Sequence, residues 1–200
     1  MGAASKYVLY DQLLALPQTL IGEILNGQIH TEPRPSTPHA HASSVLEDEI
    51  FGPFHRGRGG PGGWWIFTEP EIHFVLNVEI AVPDLGGWRR ERMPVLPREH
   101  RITVVPDWVC EILSPSTARK DRVIKMPVYA RFGVAYLWLV DPIARTLETF
   151  ALDGGRWVVT GQFKDDDIVA VPPFEALSLE LATLWVPEPE ESEPGRDETG

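Results

Sequence analysis

Hydrophobic side chains recur at helical spacing in three parts of the chain. Residues 7–17 carry apolar positions three and four apart and end at a proline, which predicts a short helix. Residues 41–54 have a similar pattern. Residues 116–133 form the longest such stretch, and Gly133 stands where the residue after a helix is expected. Because Pro127 lies inside this stretch and has no N–H to donate, we expect it to kink or restart the helix.

The pattern between these stretches is typical of short β-strands. Residues 22–30 predict two strands joined by an Asn-Gly turn, a strong hairpin signal. Further strands are predicted within 64–84, at 108–113, at 135–141, and at 147–152 and 156–163 around an Asp-Gly-Gly turn. Loops are predicted at the proline-rich segment 32–40, the glycine-rich segment 55–63, and the proline- and arginine-rich segment 86–101. This order of elements predicts an α/β or α+β domain with a mixed central sheet.

The composition is that of an ordinary globular protein, with 43% hydrophobic and 24% charged residues. The longest apolar run, residues 132–140, is far shorter than the roughly 20 residues that span a bilayer, so we expect no membrane-spanning segment. The first residues lack the apolar core of a secretory signal. The single cysteine, Cys110, excludes an intrachain disulfide and agrees with a cytoplasmic location.

The formal net charge of −11 argues on its face against a nucleic-acid partner, but the charge is unevenly distributed. Residues 187–200 hold six acidic residues and one arginine and lack apolar anchors. We therefore expect one domain over residues 1–187 and an acidic, disordered tail at 188–200. Nine of the 18 Lys and Arg residues fall between positions 89 and 125, so basic charge gathers in the middle of the domain.

An ionisable residue interrupts the apolar strand predicted at 108–113. Alternate side chains of a strand point to opposite faces, so Glu111 shares its face with Val109 and Leu113. A buried carboxylate is costly unless it is paired with a cation or bound to a metal. Taken alone, Glu111 is as well explained by an ion pair with an arginine, or by a place at a sheet edge, as by a metal site.

A second acidic residue changes this balance. Asp84 ends a predicted strand and is followed by a Gly-Gly turn, although Pro-Asp is also an ordinary turn sequence. Together, Asp84 and Glu111 supply two hard oxygen ligands on neighbouring strands. Mg²⁺ is typically held by one or two carboxylates, several waters and a substrate phosphate. Such an ion polarises a phosphoryl oxygen and lowers the pKa of a bound water. The pair therefore predicts a site for Mg²⁺ or Mn²⁺.

Four motifs carry a resemblance to a known family. They are GEILNGQI, VPDLGGWRRERMP, PDWVCEILSPST and DRVIKMPVYARFGVAYLWLVDP. Over about residues 5–185 the chain resembles the PD-(D/E)XK nuclease superfamily and, within it, the Uma-two family of restriction endonucleases. The resemblance implies a restriction-endonuclease-like core, in which helices flank a mixed central β-sheet and β-hairpins are added.

The resemblance also implies roles for individual residues. The metal-binding aspartate of the superfamily falls on Asp84 and its second acid on Glu111, with the backbone carbonyl of Ile112 as a further ligand. The superfamily lysine normally follows the second acid by two residues, where this chain has Leu113. In this family the lysine has moved into the following helix, and Lys125 is the matching residue.

The same resemblance makes two more residues candidates for the site. Lys120 competes with Lys125 for the role of the lysine. Glu23 matches an acid that some family members place close to the site, and a solvent-facing hairpin residue is an equally good interpretation of it.

Other residues have ordinary structural explanations. His39 and His41 could ligate zinc, but no Cys or His cluster elsewhere matches them, so a structural role is favoured. Cys110 lies on the strand face opposite Glu111 and is interpreted as a core residue. Trp88 could stack on a nucleic acid or cover the edge of the core.

The expected function is hydrolysis of DNA phosphodiester bonds by a Mg²⁺-dependent endonuclease. In this hypothesis Asp84 and Glu111 hold the metal, and Lys125 helps to activate the attacking water or stabilises the pentavalent phosphate. The loop arginines contact the DNA backbone; these are Arg89, Arg90 and Arg92. The resemblance implies a homodimer, because cutting two strands takes two sites. The alternative is a catalytically inactive protein of the same fold that binds nucleic acid or acts as a regulatory module.

Overall fold

Helices and short strands alternate along the chain in the computed structural model, which describes residues 3–32 and 34–187. The helices are α1 (Ala3–Leu14), α2 (Thr37–Ile50), α3 (Ala118–Lys120) and α4 (Met126–Phe132). Two wider π-type turns, π1 (Phe51–His55) and π2 (Asp121–Lys125), extend α2 and join α3 to α4. The strands are β1 (Ile21–Leu25), β2 (Gln28–Glu32), β3 (Trp64–Thr68), β4 (Ile72–Val75), β5 (Glu79–Ala81), β6 (Leu85–Arg89), β7 (Trp108–Ile112), β8 (Tyr136–Asp141), β9 (Thr146–Asp153), β10 (Arg156–Lys164), β11 (Ile168–Val169) and β12 (Leu179–Glu180).

The central sheet has six strands in the order β10-β9-β8-β7-β6-β3. Neighbouring strands are antiparallel except β7 and β8, which are parallel and set Glu111 opposite Leu139. Adjacent parallel strands need a crossover connection, and the helical segment from α3 to α4, here called the crossover helix, provides it. This mixed sheet flanked by helices confirms the predicted fold class.

A smaller sheet has four strands in the order β2-β1-β5-β4. Its hairpin turns at Asn26 and Gly27, whose φ angles of 53° and 76° are the left-handed pair that a two-residue hairpin favours. The predicted hairpin is therefore confirmed. Strand β1 also pairs with β5, which places its residue Glu23 inside the small sheet.

Each face of the central sheet buries its own hydrophobic cluster. On one face, Trp108 packs edge to face against Trp138 at 5.4 Å between ring centroids, and Phe174 joins them. Helix α2 and the segment after β10 complete this cluster. On the other face, Val109 packs with residues of α4 and β8. Glu111 shares the face of Val109, as strand alternation predicted.

The crossover helix widens into π2 just before Pro127. A proline has no N–H for the helical ladder, and its ring crowds the carbonyl four residues earlier, so a wider turn relieves the conflict. The disturbance expected at Pro127 takes this form. The helix then ends at Gly133, whose φ of 80° is left-handed, as the sequence predicted.

The segment that follows Asp84 is strand β6, where the sequence predicted a turn and the start of a loop. Gly86 and Gly87 lie within this strand. An added Cβ at Gly86 would lie 2.9 Å from the ring of Pro70, and one at Gly87 would lie 3.0 Å from Trp108. The two glycines therefore reflect close packing of neighbouring side chains, which sequence alone does not distinguish from a turn. Asp84 precedes a strand instead of ending one.

Helix α2 begins at Thr37, inside the segment predicted as a proline-rich loop. Pro38 is tolerated there because the first N–H groups of a helix have no partner within the helix. The earlier start places His39 in the first turn of α2.

The last described segment continues past β10 through β11 and β12 to a 3₁₀ turn at Leu181–Leu184. The predicted acidic tail, residues 188–200, lies outside the described residues. In the part of the chain that the structure covers, no helix is long and apolar enough to cross a membrane.

Replacement of Gly86 by alanine should destabilise the protein by roughly 1–3 kcal/mol, because the new methyl group overpacks the contact with Pro70. The matched control is Gly52→Ala, in the π1 turn, where no atom beyond its chain neighbours and its own helical backbone lies within 4 Å of the added carbon. That change should be neutral or slightly stabilising. Urea unfolding of both variants measures the difference. Equal stability of the two variants would contradict the close-packing explanation of β6.

Candidate active site

Glu111 lies near the end of β7, on the sheet face that the crossover helix covers, and is only 2% exposed. Lys125 and Tyr129 project from the same side of that helix, since residues four apart are neighbours. Lys125 Nζ lies 2.8 Å from the Glu111 carboxylate. The Tyr129 hydroxyl donates a hydrogen bond to the same carboxylate. The buried acid is therefore paired with a lysine and a tyrosine.

A second buried carboxylate, Glu23 of β1, approaches the same lysine. Lys125 Nζ lies 3.1 Å from Glu23 Oε1 and donates to the Val82 carbonyl at 3.1 Å. Glu23 also accepts the Val82 N–H at 2.9 Å. Its side chain is fully buried, so the solvent-facing interpretation of Glu23 is wrong. Through Lys125, the small sheet is tied to the acid of the central sheet.

Lys120 takes a different pair of partners. Its ammonium lies 2.5 Å from Glu23 and also pairs with Glu32 of β2. The structure thus brings both candidate lysines to the same cluster. Lys125, not Lys120, is the one that contacts Glu111.

Burial and charge act in opposite directions on these groups. Burial raises the pKa of Glu111 well above its usual range, while Lys125 opposes the shift. Burial alone would lower the pKa of Lys125, but Glu111 and Glu23 outweigh it and raise that pKa well above its usual value. Burial would likewise raise the pKa of Glu23, but Lys125 and Lys120 outweigh it and lower that pKa. Lys125 is therefore a fixed cation at neutral pH.

Asp121 is a further acid near Lys125, and the sequence did not single it out. One of its oxygens lies 4.0 Å from Lys125 Nζ. Its Oδ1 is buried and has no hydrogen-bond partner among residues 3–32 and 34–187. Burial raises the pKa of Asp121 to about 6.

Asp84 lies at the start of β6 and is held by two donors. Its Oδ2 accepts the Ile112 N–H at 2.6 Å, and its Oδ1 accepts a hydrogen bond from His39 Nε2 at 2.9 Å. Burial alone would lower the pKa of His39, but the hydrogen bond and charge of Asp84 raise it overall. The resemblance implied that the Ile112 carbonyl is a ligand of the metal. In the structure, the N–H of Ile112 donates a hydrogen bond to Asp84.

A cavity of about 230 Å³ opens beside Asp84. His39, Glu32, Glu69 and Arg34 line it together with the turn formed by residues 114–117. Glu69 has a left-handed backbone with φ of 46°, and its N–H donates to the Asp84 carbonyl at 3.0 Å. Asp84 therefore faces open space.

Glu111 and Lys125 do not line this cavity. They are only 2% and 1% exposed, respectively. The site thus has an open part at Asp84 and a sealed part around the Glu111–Lys125 pair.

The predicted DNA-contacting arginines lie toward the other end of β6. Arg89 is the last residue of that strand, roughly 16 Å from Asp84 at about 3.3 Å per residue. Its guanidinium lies over the ring of Trp64, 4.7 Å from the centroid. Arg92 pairs with Asp107 at 2.7 Å. The structure does not bring these residues to the acidic pair.

Arg90 is the most strongly engaged of these arginines. It donates to the carbonyls of Trp64 and His55 at 3.1 and 2.5 Å. Its guanidinium also lies 3.9 Å from the ring centroid of Trp65. Arg90 thus ties the end of π1 to strand β3.

Three residues for which the sequence offered a structural explanation have structural contacts or burial that agree with it. Trp88 is fully buried and donates from Nε1 to the Val104 carbonyl at 2.8 Å, so it belongs to the core. Cys110 is fully buried, and burial raises the pKa of its thiol well above its usual value. His41 lies 3.2 Å from the Thr183 carbonyl and does not share the partner of His39.

The sequence interpretation missed His39, Asp121 and Tyr129 as members of the site. Tyr129 had a visible signal, because it follows Lys125 by four residues in a predicted helix. His39 had none that points to Asp84, since the two residues are 45 positions apart.

The chemistry of Asp84 and Glu111 suits Mg²⁺, although only Asp84 lines the cavity. Among the described residues, no group of three or more His, Cys, Asp or Glu side chains could hold a metal by itself. Mg²⁺ does not require one, since it commonly keeps several waters and takes one or two carboxylates. Asp84 and Glu111 supply hard oxygen donors, and the cavity has room for waters at roughly 30 Å³ each. The donor set is not the one typical of a structural zinc site.

The candidate site thus combines Asp84 at the start of β6, Glu111 of β7 and Lys125 of the crossover helix. The model of the Uma2 family, described as "Putative restriction endonuclease", matches residues 9–183. The chain belongs to this family, and the predicted resemblance is thereby confirmed.

The chain is also similar to a solved structure. It is the crystal structure of "a putative nuclease belonging to DUF820" from Anabaena variabilis ATCC 29413. The two proteins share 26% identity, with a TM-score of 0.69, over 88% of this chain and 96% of that one. No curated protein matches the chain.

Replacement of Lys125 by methionine should destabilise the protein by about 3–5 kcal/mol, because Glu111 and Glu23 lose their buried counter-charge. Arg122→Met is the matched control, since Arg122 pairs with Glu148 at the surface and should cost less than about 1 kcal/mol. Chemical unfolding at neutral pH compares the two. A loss for Lys125→Met as small as that of the control would show that the buried pair contributes little to stability.

Asp121 should make stability depend on pH. Its pKa in the folded protein is about 6, above the usual 3.8, so the folded state favours the protonated form. The stabilising effect of this proton is complete below about pH 3.8 and is lost as the pH rises through 6. Asp121→Asn cannot ionise, so its stability relative to the wild type should increase by up to about 3 kcal/mol between pH 4 and pH 7.

Unfolding free energies of wild type and Asp121→Asn at several pH values test this expectation. Asp153→Asn, at the exposed end of β9, is the control and should show no such trend. A pH-independent difference between Asp121→Asn and the wild type would count against an unfavourable buried charge at Asp121.

Proposed function

We propose that the protein is a Mg²⁺-dependent endonuclease that hydrolyses phosphodiester bonds of DNA. The observation that carries this proposal is the arrangement of three motif residues: Asp84 at the open cavity, and Glu111 paired with Lys125 behind it. Membership of the Uma2 family and the likeness to a nuclease structure support the class of reaction.

In this proposal Asp84 and Glu111 hold Mg²⁺ or Mn²⁺, which when bound polarises a phosphoryl oxygen and lowers the pKa of a bound water. Lys125 acts as a fixed cation, because its pKa is raised and it keeps its proton. It orients Glu111 together with Tyr129 and favours the ionised form of that acid. Of the two roles expected for Lys125, stabilisation of negative charge is therefore favoured over activation of water.

Asp84 is prepared for its role by its two hydrogen bonds. The Ile112 N–H and His39 fix the plane of the carboxylate beside the cavity. Groups that orient a metal-binding carboxylate commonly raise its affinity for the ion. His39 is therefore a positioning residue in this proposal, not a ligand.

We further propose that the protein acts as a homodimer on duplex DNA. One site cuts one strand, so cleavage of both strands takes two copies of the site.

A second candidate is a catalytically inactive protein of the same fold that binds nucleic acid or regulates another protein. The burial of Glu111 and Lys125 favours it, because neither lines the cavity that could take a substrate phosphate. Leu113, in place of the usual superfamily lysine, points the same way.

Nicking of supercoiled plasmid in Mg²⁺ or Mn²⁺ tests the proposed activity. Asp84→Asn and Glu111→Gln should each reduce the nicking rate at least about 100-fold, because each removes a ligand worth several kcal/mol of charge stabilisation. The matched controls are Asp153→Asn and Glu175→Gln, at exposed carboxylates. Both should keep the wild-type rate, and EDTA should abolish nicking by every variant.

The outcome that contradicts the enzymatic proposal is equally specific. If the wild type and both site variants nick DNA at the same residual rate, the activity belongs to a contaminant. If folded wild type shows no metal-dependent nicking but binds DNA, the non-catalytic candidate is favoured.

A further inference from the structure

Arg34 and Arg119 differ from the arginines that follow β6. Arg34 lines the cavity beside Asp84, and Arg119 follows the cavity-lining Thr117 by two residues. Both side chains are exposed. Neither makes a hydrogen bond or ion pair with the portion of the chain that the structure describes. Their charges are therefore available to a ligand, whereas Arg90 and Arg92 are bound within the protein.

Acidic and basic side chains both lie at the cavity. Asp84, Glu32 and Glu69 are the acids that line it. The charge of Glu32 is matched by Lys120. Arg34 lines the cavity just before α2, and Arg119 lies in α3, two residues after the cavity-lining Thr117.

The turn at residues 114–117 adds uncharged donors to the cavity lining. The Ser114 hydroxyl lies 2.9 Å from that of Ser116 and 3.1 Å from that of Thr117. Hydroxyl groups rotate and can donate to an acceptor such as a phosphate oxygen. All three residues line the cavity. Arg34 and this turn thus offer charged and neutral donors to the same space.

We propose that this cavity binds a phosphate group of the substrate strand, with Arg34 and the hydroxyls of the 114–117 turn as its contacts. Arg119 contacts a neighbouring phosphate of the same strand. Arg34 and Arg119 are hereafter called the basic rim. The inference rests on the proposed function and specifies where the nucleic-acid backbone lies: at the Asp84 end of β6.

This placement separates two sets of arginines that the sequence alone does not distinguish. Arginine recognises phosphate through a planar fork of donors, but only when that fork is not already occupied. Arg90 and Arg92 donate to protein oxygens, and Arg89 lies over Trp64 at the far end of the strand. Their replacement should lower stability more than it lowers affinity for DNA.

The test is equilibrium binding of a fluorescent 25-base-pair duplex, and of its single strand, to the full chain in EDTA at several salt concentrations. Arg34→Ala and Arg119→Ala should each weaken binding about tenfold, since a hydrogen bond to a charged group is lost. Each should also reduce the slope of log K against log salt by about one. Arg→Lys at each position should keep most of the slope, because the charge remains.

Matched controls are Arg98→Ala and Arg156→Ala, which remove exposed arginines elsewhere on the surface and should leave affinity and slope unchanged. Arg92→Ala tests the competing surface. The variants of Arg34, Arg119, Arg98 and Arg156 should keep the wild-type unfolding midpoint, because these side chains are exposed.

The outcomes separate this inference from the proposed function. If the wild type nicks plasmid in Mg²⁺ but the rim variants bind duplex and single strand as tightly as the controls, the basic rim is wrong and the nuclease function stands. If Arg92→Ala reduces the salt slope and the rim variants do not, the inference is likewise overturned. If the wild type neither binds nor cleaves DNA, the proposed function and the inference both fail.

Discussion

The burial of Lys125 between Glu111 and Glu23 is the constraint on which the rest of the structure depends. A buried ammonium or carboxylate is costly alone, so these three side chains must be held together if any one of them is to remain charged. Glu111 comes from the central sheet, Glu23 from the small sheet and Lys125 from the crossover helix. One ion cluster therefore fixes three elements relative to one another, and the Tyr129 hydroxyl completes the hydrogen bonding of Glu111.

The same constraint divides the site into two parts. The charged cluster is sealed from solvent, whereas Asp84 stands at an open cavity and is oriented by Ile112 and His39. Strand β6 places Asp84 beside the end of β7, and its glycines let neighbouring aromatic side chains pack closely against it. Packing around the central sheet thus determines where Asp84 and Glu111 stand.

Much of this arrangement could be predicted from local sequence. The Asn26-Gly27 hairpin, the helix end at Gly133 and the faces of the strand at Glu111 follow from short-range rules of turn conformation and strand alternation. The loop prediction for residues 86–101 was wrong at its start, because Gly86 and Gly87 serve packing between strands. The availability of each arginine could not be predicted either, since it depends on partners such as His55, Trp64 and Asp107.

The sequence by itself determined the family and the fold class, because these are carried by periodicity and by motifs of fixed spacing, and it predicted Asp84, Glu111 and Lys125 as site residues. Only the tertiary structure decided which groups meet. His39 reaches Asp84 across 45 positions, and Glu23 reaches Lys120 across 97. Such contacts depend on how two sheets and a crossover helix pack in three dimensions. No local pattern of residues specifies which distant side chains come together.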